Sequence, residues 1–122
     1  MRPSGRRSPA QSLGDAGEDR AARLLQSHGM TIVARNYRTR LGEIDLIARD
    51  GDVLVFVEVR LRADGRCGGA AASIGPAKQR RLAAAASAYI SRLGRPPPCR
   101  FDVVTLEQGE PAWLRGAFDA AW

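Results

Sequence analysis

Two acidic residues interrupt apolar stretches near the centre of the chain. Asp45 lies within EIDLIAR and Glu58 lies within VLVFVEVR. Burying two carboxylates close together without a counter-charge is strongly unfavourable. A divalent cation would remove that cost, because Mg²⁺ binds one or two carboxylates together with waters and substrate phosphate. The alternative is that both acids pair with nearby arginines at a solvated edge.

The connection between these two segments predicts how the carboxylates face each other. Residues 43–49 and 53–60 are predicted as strands, and Asp50-Gly51 is a strong signal for a two-residue hairpin loop. With this loop Asp45 faces Phe56, so that Asp45 and Glu58 are diagonal neighbours on one face. Both faces of the hairpin carry apolar residues, and we therefore expect it to be covered on both sides.

Other elements must hold this hairpin in place. We predict helices at 15–28 and 76–93, and strands at 30–37, 99–106 and 112–118. The order αβββαβ(β) predicts an α/β fold, with a central mixed β-sheet flanked by helices. Residues 1–12 are rich in Arg, Pro and Ser and are predicted as a disordered basic tail, which leaves 13–122 as the folded domain.

Glu18 is a third acid in an apolar setting. On the first predicted helix it shares a face with Ala21, Ala22 and Leu25, so its carboxylate projects from the inward stripe. It could reach the same metal site. The alternative is a capping box, in which Glu18 is the reciprocal partner of Asp15 at the helix start.

The composition limits the partners and the location of the protein. The chain has 122 residues and a formal net charge of +6, which favours a nucleic acid or another anionic partner. The first dozen residues do not resemble a signal peptide, so we expect none, and no apolar run approaches the roughly 20 residues that a membrane span needs. Cys67 and Cys99 fit neither a metal-binding spacing nor a disulfide framework, so we expect a cytoplasmic protein.

Basic residues cluster before the hairpin, after it and at the start of the second helix. These clusters fall at one end of the predicted strands and could hold phosphates beside the carboxylates. The alternative is ordinary surface charge. The candidate nucleic-acid-binding residues are Arg35, Arg38, Arg40, Arg62, Arg66, Arg80 and Arg81.

Four segments carry a resemblance to a known family. GEDRAARLL, ARNYRTRLGEIDLIARDGDVLVFVEVR, KQRRLAAAASAYI and CRFDVV resemble the bacterial YraN family. That family is generally uncharacterised and is described as a candidate endonuclease distantly related to archaeal Holliday junction resolvases. The resemblance implies a restriction-endonuclease-like fold of the PD-(D/E)xK class, with its pattern of acids at Glu18, Asp45 and Glu58 and a basic residue at position 60.

Position 60 departs from the nuclease pattern, because it is Arg60 rather than lysine. Arginine can stabilise negative charge in a transition state but cannot act as a base at neutral pH. Lys78 could reach the site from the second helix, or could lie on a solvated helix face. The resemblance thus implies a Mg²⁺ or Mn²⁺ site built from Asp45, Glu58, the Val59 carbonyl and Glu18.

Besides a protein-interaction domain with incidental charge, two functions remain open from the sequence. One is a metal-dependent nuclease acting on branched or otherwise structured DNA, which would favour a homodimer. The other is an inactive nucleic-acid-binding module with the same fold, which Arg60 supports. Asp102 interrupts an apolar strand and is predicted as the buried partner of an arginine, while His28 is predicted to cap a helix C-terminus.

Overall fold

The architecture is a five-stranded mixed sheet between two helices. A computed structural model describes residues 9–61, 74–106 and 111–119. The elements are α1 (Pro9–Ser27), β1 (Thr31–Arg38), β2 (Glu43–Asp50), β3 (Val53–Arg60), α2 (Pro76–Ser91), β4 (Cys99–Thr105) and β5 (Ala112–Phe118). The predicted α/β class and the order αβββαβ(β) are therefore confirmed.

The first helix begins earlier than its sequence pattern predicts. It starts at Pro9 rather than Asp15, because proline fits the first helical turn, where its missing N–H is no loss. Residues 9–12 therefore belong to α1 and not to a tail, while residues 1–8 lie outside the described residues. Asp15 lies well inside the helix, so the predicted capping box with Glu18 is wrong.

The strands lie in the order β1-β2-β3-β4-β5. All neighbouring pairs are antiparallel except β3 and β4, which are parallel. A parallel pair needs a long crossover connection, and α2 provides it. The hairpin of β2 and β3 is thus flanked by further strands and, as expected, covered on both faces.

The hairpin register differs by one step from the prediction. Asp50 pairs with Val53, so the loop is Gly51-Asp52 rather than Asp50-Gly51. Gly51 has φ +60, and Asp52 has no positive φ, which is the pattern of a turn with glycine at its first central position. In the observed register the ladder ends at Leu46 and Val57, so that Asp45 and Glu58 are the residues directly beyond its last pair.

Each face of the sheet has its own core. Ala21, Ala22 and Leu25 of α1 pack on one face, and Leu82, Ala85 and Ala86 of α2 pack on the other. Trp113 packs against the α1 core and Phe118 against the α2 core. In the described part of the chain, no helix has the length and apolar content of a membrane span.

Candidate active site

The site forms where β2 and β3 stop pairing. Their ladder runs from the turn to Leu46 and Val57, and Asp45 is the next residue. Its Oδ2 accepts a hydrogen bond of 2.8 Å from the backbone N–H of Val59. A side-chain carboxylate thus satisfies a backbone donor between the two strands, which holds Asp45 beside the end of the ladder.

Asp45 and Glu58 form a close carboxylate pair. The side chain of Glu58 is buried, with 5% of the residue exposed, and it hydrogen-bonds to Asp45. Burial and the charge of Glu58 raise the pKa of Asp45 to about 8, although the Val59 N–H lowers it. At neutral pH the pair therefore retains a proton that a cation could displace.

Glu18 approaches this pair from α1, and Asn36 orients it. Burial raises the pKa of Glu18, while a hydrogen bond from the side chain of Asn36 lowers it. Asn36 has φ +52 and is the one non-glycine residue with positive φ among those the structure describes. A left-handed backbone inside a strand is strained and points to a functional constraint.

Two cations contact the buried carboxylate from different elements. Nζ of Lys78, on α2, and an Nη of Arg60, on β3, each lie 3.4 Å from the same oxygen of Glu58. Both side chains are about one-third exposed, at 32% and 33% respectively. Lys78 therefore reaches into the site rather than lying on a solvated helix face.

A basic groove adjoins the carboxylates. It is an open groove of about 400 Å³ between the β1–β2 loop and the first turns of α2. Its lining residues are Arg38, Thr39, Arg40, Leu41, Gly42, Glu43, Lys78 and Arg81. Arg38 Nε donates to Glu43 at 2.5 Å and Lys78 contacts Glu58, so the charge that remains in the groove comes chiefly from Arg40 and Arg81.

The other predicted phosphate contacts are more scattered. Arg35 donates to Asp19 of α1 at 2.5 Å and does not line the groove. Arg80 is exposed on α2 beside the groove residue Arg81. Arg62 and Arg66 lie outside the described residues, so the structure brings together Arg38, Arg40 and Arg81 from the predicted set.

A second buried acid lies elsewhere in the sheet and is fully engaged. Asp102 is 1% exposed and accepts hydrogen bonds from two nitrogens of Arg100, at 3.0 and 3.2 Å. Trp113 Nε1 and the backbone N–H of Gly116 each donate to it at 3.0 Å. Asp102 is thus the buried partner of an arginine, as predicted. At the end of α1, His28 Nδ1 lies 3.0 Å from the Leu24 carbonyl, which fits its predicted capping role.

The oxygen ligands at this site fit Mg²⁺ when waters complete its coordination. Among the described residues, no three His, Cys, Asp or Glu side chains form a ready metal cage. Asp45 and Glu58 nevertheless form a carboxylate pair that shares a proton and lies next to the backbone of Val59. Two carboxylates with waters satisfy Mg²⁺, which dehydrates reluctantly, and Glu18 would then act through a water.

Sequence reasoning missed Asn36 and Gly42. Asparagine is depleted in strands, so its occurrence within the strand segment ARNYR is the sequence signal that could have indicated an unusual backbone at Asn36. Gly42 has no such signal. A Cβ there would lie 2.3 Å from the Arg81 carbonyl oxygen, so only glycine lets the β1–β2 loop approach α2 this closely.

Comparison with known proteins identifies close relatives over most of the chain. Residues 17–106 match the model of the uncharacterised protein family UPF0102, a span that includes Glu18, Asp45, Glu58 and Lys78. A UPF0102 protein of Janthinobacterium sp. (strain Marseille) is 52% identical over 93% of both chains. One from Herminiimonas arsenicoxydans is 50% identical over 93% of this chain and 92% of its own. One from Acidovorax sp. (strain JS42) is 56% identical over 91% of this chain and 87% of its own.

Proposed function

The chain belongs to the uncharacterised protein family UPF0102, and we propose that it is a metal-dependent nuclease that hydrolyses phosphodiester bonds in DNA. The observation that carries this proposal is the buried carboxylate pair of Asp45 and Glu58 at the end of a strand ladder, beside Lys78 and Arg60. A restriction-endonuclease-like arrangement fits the observed element order. An open basic groove beside the pair suits a polyanionic substrate.

Each residue of the site has its own role in the proposed reaction. Asp45, Glu58 and the Val59 carbonyl would bind one Mg²⁺ or Mn²⁺, with Glu18 acting through a water. The bound ion supplies a water of lowered pKa and neutralises charge at the scissile phosphate. Arg60 would stabilise the developing negative charge, because its guanidinium keeps its proton.

Lys78 has a separate role in this proposal. Its ammonium lies 3.4 Å from Glu58 and also lines the basic groove. It would therefore orient a phosphate in the groove relative to the carboxylates.

The test combines cleavage with metal-dependent stability. Single-stranded, duplex, flap and four-way-junction DNA are incubated with Mg²⁺ or Mn²⁺ and the parent protein, Asp45→Asn or Glu58→Gln. Both variants should lose cleavage and keep DNA binding. Metal at about 100 times its Kd should stabilise the parent by about 2.7 kcal/mol, but neither variant, because the ion binds only the intact site.

Asp52→Asn is the matched control. Asp52 lies exposed in the hairpin loop, and its substitution removes the same charge without touching the site. It should cleave and respond to metal as the parent does. If the parent neither cleaves any of these DNAs nor gains stability with metal, the nuclease proposal is wrong.

One observation favours a second function, an inactive nucleic-acid-binding module. Arg60 and Lys78 both approach Glu58, so cations of the protein itself already compensate its charge. A module of this kind would bind DNA in the groove without any metal requirement. Arg60→Lys separates the two proposals, because it restores the usual nuclease residue. A gain of cleavage would mean that arginine weakens a complete site, and a loss of cleavage would mean that the site uses arginine. DNA binding without cleavage by both the parent and Arg60→Lys would support the inactive module.

A further inference from the structure

The loop between β1 and β2 is held rigidly. Thr39 Oγ1 accepts hydrogen bonds of 3.1 Å from the N–H groups of both Leu41 and Gly42. The Thr39 N–H donates to the Gly42 carbonyl at 2.8 Å and closes the loop. On its other side Gly42 abuts the Arg81 backbone of α2. The loop is thus fixed both internally and against a helix.

Leu41 projects from this rigid loop into solvent. It is 65% exposed, whereas the other exposed large apolar residues among those described are between 41% and 44% exposed. A flexible loop could bury such a side chain by folding back, but the contacts of Thr39 and Gly42 prevent this. Single exposed apolar residues are common on protein surfaces, but this one stands on a fixed support in the lining of the basic groove, where it is available to a ligand.

The surroundings of Leu41 indicate the chemistry of that ligand. Arg40 precedes it in the sequence, and both residues line the basic groove together with Lys78 and Arg81. Lys78 also contacts Glu58, so the groove is continuous with the carboxylates. A molecule that fits here carries anionic groups in a row and an apolar surface beside them. Phosphates and bases of a nucleic acid satisfy both requirements.

Building on the proposed function, we propose that Leu41 packs against an unstacked base of a DNA strand whose phosphates lie in the basic groove. In an intact duplex the base faces are covered by their neighbours, and Leu41 would gain no contact. At a flap, a junction or another disrupted base step a base face is exposed, and apolar side chains are known to wedge into such steps. Leu41 would thus make the protein selective for interrupted duplexes.

The test compares two DNAs that differ only at one step. A 5′-flap substrate and a continuous duplex, of the same length and both carrying 2-aminopurine at the same position, are titrated with the full chain by fluorescence anisotropy at fixed salt and without metal. The parent should prefer the flap and raise 2-aminopurine fluorescence at the branch. Leu41→Ala should lower flap affinity by about five- to thirty-fold, as expected for losing most of a buried leucine, and leave duplex affinity unchanged.

Two further variants complete the design. Leu93→Ala removes another exposed leucine, after the end of α2 and far along the helix from Lys78, and should behave as the parent. Leu41→Phe keeps an apolar face and should retain the flap preference. Should Leu41→Ala keep the parental ratio of flap to duplex affinity while DNA still binds, the role of Leu41 is refuted and the nuclease proposal stands. Absence of binding to either DNA by the parent would instead refute both.

Discussion

The two buried acidic centres of this sheet differ in how their charge is compensated. Asp102 is surrounded by donors, with Arg100, Trp113 and the Gly116 backbone all within hydrogen-bond distance. Asp45 accepts one hydrogen bond from a backbone N–H and lies beside another carboxylate, and the cations Arg60 and Lys78 contact only that other carboxylate, Glu58, at 3.4 Å. A buried charge that stabilises a fold is paired with groups of the protein itself. A buried charge that repels its neighbour is costly unless a bound ligand neutralises it. The contrast assigns a structural role to the first centre and favours a binding role for the second.

The largest effect is expected from weakening the structural centre. Asp102→Asn removes the buried negative charge between Arg100 and Trp113 and leaves the partly exposed Arg100 with Asp50 as its carboxylate partner. We expect a loss of roughly 3–5 kcal/mol in the free energy of unfolding, measured by urea denaturation. Cleavage by the remaining folded protein should be unchanged. A loss smaller than that of a surface substitution would mean that this centre is not structural.

Substitution at the other centre should have the opposite sign. The raised pKa of Asp45 means that the folded protein binds a proton that the unfolded chain, with its ordinary value near 3.8, releases. Stability should therefore fall as pH rises from about 4 to about 8, by at most about 1.4 kcal/mol for each pH unit from this group. Asp45→Asn lacks this titration.

The measurement is the free energy of unfolding of both proteins across this pH range with EDTA present. The variant should become the more stable of the two toward pH 8, because only the parent must ionise a carboxylate beside Glu58. Asp52→Asn serves again as the control and should follow the parent. Parallel curves for the parent and Asp45→Asn would show that the carboxylate pair is not electrostatically strained.

The smallest effect on stability is expected at Asn36. Glycine adopts positive φ without strain but loses more conformational freedom on folding, so Asn36→Gly should change the free energy of unfolding by less than about 1 kcal/mol. The variant lacks the amide that holds Glu18. We therefore expect a weaker metal-induced rise in Tm and slower cleavage from a protein of nearly parental stability. An unchanged metal response would mean that Asn36 does not act through Glu18.

The strands and the class of fold could be predicted because their signals are local. Apolar alternation, the Asp-Gly turn and the proline that starts α2 each involve neighbouring residues. The exact register could not be predicted in the same way. Gly51 supports either loop placement, and the choice between them depends on how β2 and β3 fit the strands outside them.

The residues of the candidate site also differ in whether local sequence signals could predict their positions. Asp45 and Glu58 could be paired from the sequence, since a short hairpin brings them together. For Lys78 the sequence left two alternatives, a place in the site or on a solvated helix face, and the close packing of α2 against Gly42 brings it to Glu58. Asn36 was missed because asparagine adopts a left-handed backbone mainly in turns, and only the folded sheet shows this conformation inside a strand.

The parallel pairing of β3 with β4 also has a consequence for folding kinetics. β1, β2 and β3 form by short antiparallel connections, whereas the Arg100–Asp50 ion pair beside β4 joins residues 50 positions apart in the sequence. Closing such a long loop is entropically expensive and slow, so the antiparallel half is expected to assemble first. The two catalytic candidates Asp45 and Glu58 would then meet early, when β1, β2 and β3 have paired. At that stage β3 is an outer strand, and one of its edges has no partner until β4 pairs with it. During that interval the apolar edge of β3 is the part of the chain most exposed to aggregation.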